Sequence, residues 1–530
     1  MHAAVRGARA IRAAAGLLCV LLAAACSSSG SSESSASTTP SPRATSTSAA
    51  GTTAVPTTSA DASVRFLAGT PMVACTVAST PVADVTASAL CGTLQVPEDR
   101  SDPTGRQIPL RVAVIPAQAD TPEPDAFFAI AGGPSEASTS FFGWLPGLFD
   151  GVHATRDIVL VDQRGTGGSN ALVLPPMPDT SALSKDDADA AMQTWADEWL
   201  ASIDADPRQY TSSVAADDLD AVREALGYEQ VDLYGPSYGG TLAQYYIRQH
   251  PDHVRVAIMD GATPLDVPVF ERMAASSEAA VELVLERCAA DATCDAALPN
   301  VLAEWPSLIA ALEEGVDMGL ADPDTGDPSI ATLEQVAPDL HQALLDPATA
   351  SRIPLLIHLA EEGEWAQIAQ SAPLLPASTG DGGDWLAMGE IIMCSEAWAR
   401  YDPAEVERLG AGSYAMSARR ADAVARAARC AALPKGVVPD DDAAPVLTDV
   451  PILWLAGDGD PQDPPANLAS IPSQQPNALI AVMPAQQHTV GHSGCAPQVI
   501  GEFVDAGTTA GLDTSCIEHA DVPGLTFVLH

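Results

Sequence analysis

The stretch Val231-Asp232-Leu233-Tyr234-Gly235-Pro236-Ser237-Tyr238-Gly239-Gly240 constrains this chain more than any other part of it. A short alternating apolar run reads as a buried strand, and Ala243, Tyr246 and Ile247 follow at helical spacing. Ser237 stands between the two, in Gly-x-Ser-x-Gly. A serine on so sharp a strand-to-helix turn projects its hydroxyl outward and leaves the next N–H free to bind an oxyanion. The flanking glycines let the chain bend that tightly. The pentapeptide alone is a common pattern, because glycine and serine are abundant. Its meaning depends on whether the rest of the chain supplies a base, an acid and a second oxyanion donor.

Around this turn, strand and helix alternate. Residues 92–97, 110–115, 127–130, 157–161 and 254–259 read as strands. Residues 181–200 and 215–227 read as helices, the second acidic early and closed by Gly227. Such alternation predicts a parallel sheet in an α/β fold. From about 265 to 445 the pattern changes to amphipathic runs, such as 279–287 and 421–429, with few strand signals. This predicts a mainly helical insertion over the carboxyl ends of the strands, where α/β proteins place their sites. Residues 322–328 (DPDTGDP) read as a turn whose spacing does not suit calcium. The sheet resumes at 451–456 and closes with 479–483.

The missing parts lie at strand ends. Strand 127–130 runs into Ala131-Gly132-Gly133-Pro134-Ser135-Glu136, where backbone N–H groups such as that of Gly133 can face a cleft beside the N–H of Tyr238. The loop Asp162-Gln163-Arg164-Gly165-Thr166-Gly167 lacks phosphate-binding spacing, and Arg164 is expected to shape the site's floor through fixed hydrogen bonds. After the resumed strands come Asp458, Asp460 and Asp463 in one loop and His488 and His492 in the next. The order Ser, Asp, His is the one expected of this fold. Cleavage of an amide or ester by serine needs these parts: a base for the hydroxyl proton, a carboxylate to orient the imidazole, and N–H donors for the oxyanion.

The formal charge of −44 argues against nucleic acid and against adsorption to an anionic lipid surface. Arg6, Arg9 and Arg12 precede an apolar run at 13–25, too short for a membrane span of about 20 residues and laid out as a secretory signal. Leu22-Ala23-Ala24-Ala25-Cys26 resembles a bacterial lipoprotein box, so residues 1–26 read as a signal with Cys26 as the lipid-attachment site; plain secretion is the alternative. Residues 27–62, rich in Ser, Thr, Ala and Pro, read as a flexible tether. Eight further cysteines, Cys75, Cys91, Cys288, Cys294, Cys394, Cys430, Cys495 and Cys516, suggest four disulfides in an exported chain, between sequence neighbours. None shows zinc spacing.

Together, Gly132-Gly133-Pro134, Asp162-Gln163-Arg164-Gly165-Thr166-Gly167, Asp218-Leu219-Asp220-Ala221-Val222-Arg223, Gly235-Pro236-Ser237-Tyr238-Gly239, Gly457-x-x-Asp460-Pro461 and His488 ahead of Gly494-Cys495 resemble the secreted α/β-hydrolase peptidases of actinobacteria, the tripeptidyl aminopeptidase and prolyl iminopeptidase group. The resemblance implies an α/β-hydrolase core at 63–264 and 446–530 with a helical cap at 265–445. It implies Ser237 as nucleophile, Asp460 as acid and His488 as base, and it supports the 288–294 and 495–516 pairings. Two positions depart from the family pattern: Ser135 replaces a glycine, and Asp463-Pro464 replaces a Thr-Pro. Asp458 and Asp463 therefore compete with Asp460, and His492 with His488.

The expected activity is that of an extracellular serine exopeptidase acting on short peptides at their free N-terminus, with no metal or organic cofactor. Glu396, with Glu136 as second choice, is the candidate to hold the substrate's ammonium group by a charge-assisted hydrogen bond. An esterase or amidase using the same residues, or a binding lipoprotein with a lapsed site, are the rival readings. Membrane contact is expected only through the N-terminal lipid.

Overall fold

The computed structural model describes residues 65–78, 85–142, 148–178, 180, 183–321, 326–370 and 386–526. The signal, Cys26 and the tether expected at 27–62 lie outside the described residues. Nine strands make one sheet: β1 (Val73–Ala78), β2 (Thr86–Pro97), β3 (Gln107–Ile115), β4 (Ala126–Ala129), β5 (Ile158–Val161), β6 (Val231–Pro236), β7 (Val254–Asp260), β8 (Ile452–Gly457) and β9 (Ala478–Met483). Their spatial order is β9-β8-β7-β6-β4-β5-β3-β2-β1. Strands β5, β4, β6, β7, β8 and β9 run parallel, whereas β1, β2 and β3 pair antiparallel and join the rest through an antiparallel β3–β5 pairing. Every residue of β4, β5, β6 and β8 is buried, as expected of parallel strands covered on both faces.

The covering helices split the core into two clusters. On one face α1 (Ser212–Leu226) and α2 (Tyr238–Gln249) pack Leu219, Val222, Leu242 and Tyr246 against Leu233 and Trp454. On the other, Val499, Ile500 and Phe503 of the helix Ala496–Ala506 pack against Ile258, Leu453 and Phe127. Helix α1 closes on Gly227 in the left-handed conformation (φ 87°), whose N–H reaches the carbonyls of Arg223 and Glu224.

The segment between β7 and β8 is mainly helical. It contains α3 (Val269–Ala290), α4 (Leu333–Ala343), α5 (Leu386–Ile392) and α6 (Met416–Ala432), and a third apolar cluster spans its residues from Ala274 to Met416. One feature departs from the sequence reading: Val316–Ala321 and Pro328–Ala331 form an antiparallel hairpin. Its strands are short and half-exposed, and Gly319 interrupts the first, so the alternation is too brief to stand out. The turn expected at 322–328 falls on this connection, of which residues 322–325 lie outside the described set. Disulfides join Cys75–Cys91, Cys288–Cys294, Cys394–Cys430 and Cys495–Cys516, the neighbour pairs expected.

Candidate active site

At the carboxyl end of β6 the chain turns into α2 through Ser237, which adopts φ 52° and ψ −127°. A non-glycine residue there stores roughly 1–3 kcal/mol of backbone strain, and the surrounding contacts must over-determine it. Two glycines make the turn sterically possible. A Cβ on Gly235 would lie 2.3 Å from the carbonyl oxygen of Gly239, and one on Gly239 would lie 2.5 Å from that of Ile130. The N–H of Tyr238 opens α2, where no intrahelical acceptor exists. The loop after β4 lies against this turn: a Cβ on Gly132 would approach Ser237 Cβ to 3.6 Å, and Gly133 has φ 107°. Ser135 takes φ 98° despite its side chain, and its hydroxyl faces Gly389 of α5.

Asp260, at the end of β7, ties the serine turn to the histidine loop. Its backbone oxygen accepts the N–H of Ser237 at 2.9 Å. Its carboxylate accepts the N–H groups of Val490 at 2.7 Å and Gly491 at 2.9 Å, and the hydroxyl of Tyr234 at 2.6 Å. His488 sits two residues before this anchor. Its Nδ1 lies 2.8 Å from Asp460 Oδ2, and Asp460 Oδ1 accepts the N–H groups of Gln462 and Asp463 at 2.8 and 2.9 Å. Burial alone would lower the His488 pKa, but the charge and hydrogen bond of Asp460, then Asp463 and Asp260, raise it above the ordinary imidazole value. Two of the three competitors are placed differently. Asp458 accepts the N–H of Ala485, and His492 is exposed. Asp463 stays close, with Oδ2 3.8 Å from His488 Nδ1.

A cavity of about 340 Å³ opens in front of the serine, lined by Gly133, Ser237, Tyr238, Phe270, Met273 and Glu396 among others. That volume suits a small ligand. Glu396 sits on a π-helical turn, Met393–Ala397, which the Cys394–Cys430 bridge fastens to α6. Its carboxylate accepts the N–H and the hydroxyl of Ser212, both at 2.7 Å, and Ser212 Oγ is 2.8 Å from the Tyr238 hydroxyl. Burial pushes the Glu396 pKa up to about 7 against the pull of the Ser212 hydrogen bonds. Glu136 is also raised by burial, while the N–H of Gly132 and the charge of His488 pull it back. Arg164 has the fixed hydrogen bonds expected, but it is fully buried on Asp218 (2.6 and 2.8 Å) and the carbonyls of Glu98 and Gln209, and is not a cavity-wall residue.

Three residues at or beside the site escaped the sequence reading. Asp260 directly follows the stretch read as a strand at 254–259 and carried no further signal. Ser212 and His341 carried no signal at all, because their partners are far away in sequence. His341 of α4 bonds Ser277 at 2.7 Å, and burial, together with the charges of Arg419 and His488, lowers its pKa to about 3. Among the described residues, Asp460-Asp463-His488 and Asp220-His250-His253 each bring ligand atoms within 4.8 Å. Both are already engaged, the first as above and the second by Arg223 at 2.7 Å from Asp220.

Residues 126–292 match the family described as the alpha/beta hydrolase fold, and residues 416–516 match that described as TAP-like protein. The serine proteases Hip1 of Mycobacterium tuberculosis and Mycobacterium bovis are each 28% identical to the chain over 225 residues. That match covers 38% of the chain and 42% of the relatives' own length. Among solved structures, the proline iminopeptidase of Mycobacterium smegmatis has 16% identity and a TM-score of 0.36, covering 79% of this chain and 99% of that one. A proline iminopeptidase-related protein of Thermus thermophilus has 20% identity and a TM-score of 0.35, covering 80% and 98%.

Proposed function

We propose that this chain, an α/β-hydrolase of the peptidase type, is a serine exopeptidase that removes residues from the free N-terminus of short peptides. The observation that carries the reading is the double role of Asp260, which binds the Ser237 turn through its carbonyl and the His488 loop through its carboxylate. Ser237 Oγ attacks the scissile carbonyl and passes its proton to His488 Nε2, the nitrogen turned away from Asp460. The oxyanion is held by the N–H groups of Tyr238 and Gly133. Collapse breaks the C–N bond, and the imidazolium returns the proton to the departing amine. Water, deprotonated by His488, then releases the acyl group from Ser237.

Recognition of the free amine is assigned to Glu396, with Glu136 as the second carboxylate near the serine. Glu396 lines the cavity and, with a pKa of about 7, becomes an anion when an ammonium group arrives to pair with it. Four disulfides support a location outside the reducing cytoplasm. Among the described residues no helix is long and apolar enough to cross a membrane.

The test has two arms. A fluorophosphonate probe should label Ser237, and absence of labelling would overturn the enzyme reading. Tripeptide arylamides with a free N-terminus should be cleaved at least about 100-fold faster than their N-acetylated forms, as expected when a buried carboxylate loses its partner. Equal cleavage would leave a serine hydrolase without amine recognition, such as an esterase or amidase.

A further inference from the structure

The site holds one more carboxylate than the reaction needs. Asp463 Oδ2 lies 3.8 Å from His488 Nδ1, the nitrogen that Asp460 Oδ2 meets at 2.8 Å. Its position is fixed from several sides. Thr263 Oγ1 donates to its Oδ1 at 2.5 Å and Gln462 Nε2 to its Oδ2 at 3.1 Å, while Asn467 Nδ2 supports Thr263 Oγ1 at 2.9 Å. Its own N–H donates to Asp460 Oδ1, so the two acids share one turn. The side chain is 8% exposed, so its field on the imidazole is weakly screened.

The other charged or titratable groups facing this cluster come from every neighbouring element. They are Asp460 beside it, Asp260 from β7, Glu136 from the loop after β4, and His341 from α4 with Arg419 of α6 behind it. Arg272 of α3 reaches Asn467, at 3.4 Å. Carboxylates therefore dominate around the imidazole, and among the described residues Asp460 and Asp463 are those that bring an oxygen within 4 Å of its Nδ1.

We propose that Asp463 is a second positioning carboxylate for His488: it shares the Nδ1 side with Asp460, stabilises the imidazolium that forms when Ser237 gives up its proton, and sets the pH at which the base becomes available. The proposal rests on the triad reading above. An opposite charge this close favours the charged imidazole, an effect of roughly 1–3 pH units when little screened. Two carboxylates on one turn repel, and burial together with the charge of Asp460 raises the Asp463 pKa accordingly. The direction is unambiguous. Removing the Asp463 charge lowers the His488 pKa, so the free base persists to lower pH while the imidazolium of the transition state loses support.

The experiment measures the pH dependence of fluorophosphonate labelling of Ser237 in the full chain, and the imidazole nitrogen NMR titration of His488, for wild type and Asp463→Asn. The expected result is an acid-side midpoint about one pH unit or more lower in the variant, with a plateau rate about tenfold lower. A uniform slowing with an unmoved midpoint would assign Asp463 a structural role and overturn the proposal. Should Asp463→Asn not fold, Asp463→Thr, which keeps a hydroxyl without the charge, gives the same two readings. If wild type is not labelled at any pH, the serine-hydrolase reading fails, and the NMR midpoint still decides whether Asp463 supports the imidazolium.

Discussion

The sheet-side wall of the cavity and the helical wall facing it hold their polar groups by contrasting means. On the sheet side, position is enforced by the backbone. Ser237 is fixed by φ 52°, by two glycines that leave no space for a Cβ, and by a hydrogen bond from its own N–H to Asp260. On the helical side, position comes from packing and cross-links between distant segments. Glu396 is placed by a disulfide, by Lys435 Nζ bonding the carbonyls of Cys394 and Cys430, and by Ser212 from the sheet half of the molecule. The difference suits the two tasks. In the proposed function, bond-breaking at Ser237 needs a geometry that does not relax, whereas amine recognition at Glu396 tolerates adjustment at the opposite wall.

The comparison breaks most sharply at the serine. Ser237→Ala should abolish probe labelling and reduce peptide hydrolysis by about 10⁵-fold or more, with little change in melting temperature. Retained turnover would remove the sheet wall from the chemistry. Asp460→Asn should reduce kcat by up to about 10⁴-fold, because the imidazole loses its orienting partner at 2.8 Å, while substrate affinity stays near wild type.

A smaller effect is expected from the steric constraint itself. Gly235→Ala would drive a Cβ to 2.3 Å from the Gly239 carbonyl oxygen, costing about 1–3 kcal/mol in chemical denaturation together with loss of labelling. A variant as stable and active as wild type would show that the turn is less rigidly enforced than its contacts indicate.

The helical wall gives the subtlest result. Glu396→Gln keeps the shape but removes the charge, so KM for free-amine arylamides should rise more than kcat falls. Its stability should also respond to pH with a definite sign. The folded-state pKa of about 7 lies above the ordinary 4.5, so the neutral acid is favoured by folding. That stabilisation is complete below 4.5 and is lost as pH rises through about 7. Wild type should therefore lose melting temperature relative to Glu396→Gln across this interval, and parallel curves would contradict the burial of the charge.

Legibility in the sequence followed the same division. The Gly-x-Ser-x-Gly turn, the strand before it and the helix after it are local, and short-range sterics dictate them. The placement of Asp460 and His488 after successive strands was likewise readable, since strand periodicity locates the loops. The choice among Asp458, Asp460 and Asp463 was not readable from spacing; the family resemblance favoured Asp460. All three lie within one short loop, and only the path of that loop turns Asp458 toward Ala485 and Asp460 toward His488. The Val316–Ala321 hairpin escaped because a two-stranded, half-exposed pairing leaves little periodic trace.

Local rules thus determined the strand order of chemistry: a serine elbow, then an acid loop, then a histidine loop, on an α/β sheet beneath a helical insertion. Tertiary structure alone decided which groups share a dielectric. Asp260 bridging two loops, Ser212 meeting Glu396 across 184 residues, and Asp463 standing 3.8 Å from the imidazole are all products of long-range packing. Charge interactions depend on distance and burial rather than on sequence separation, so no pattern along the chain encodes them.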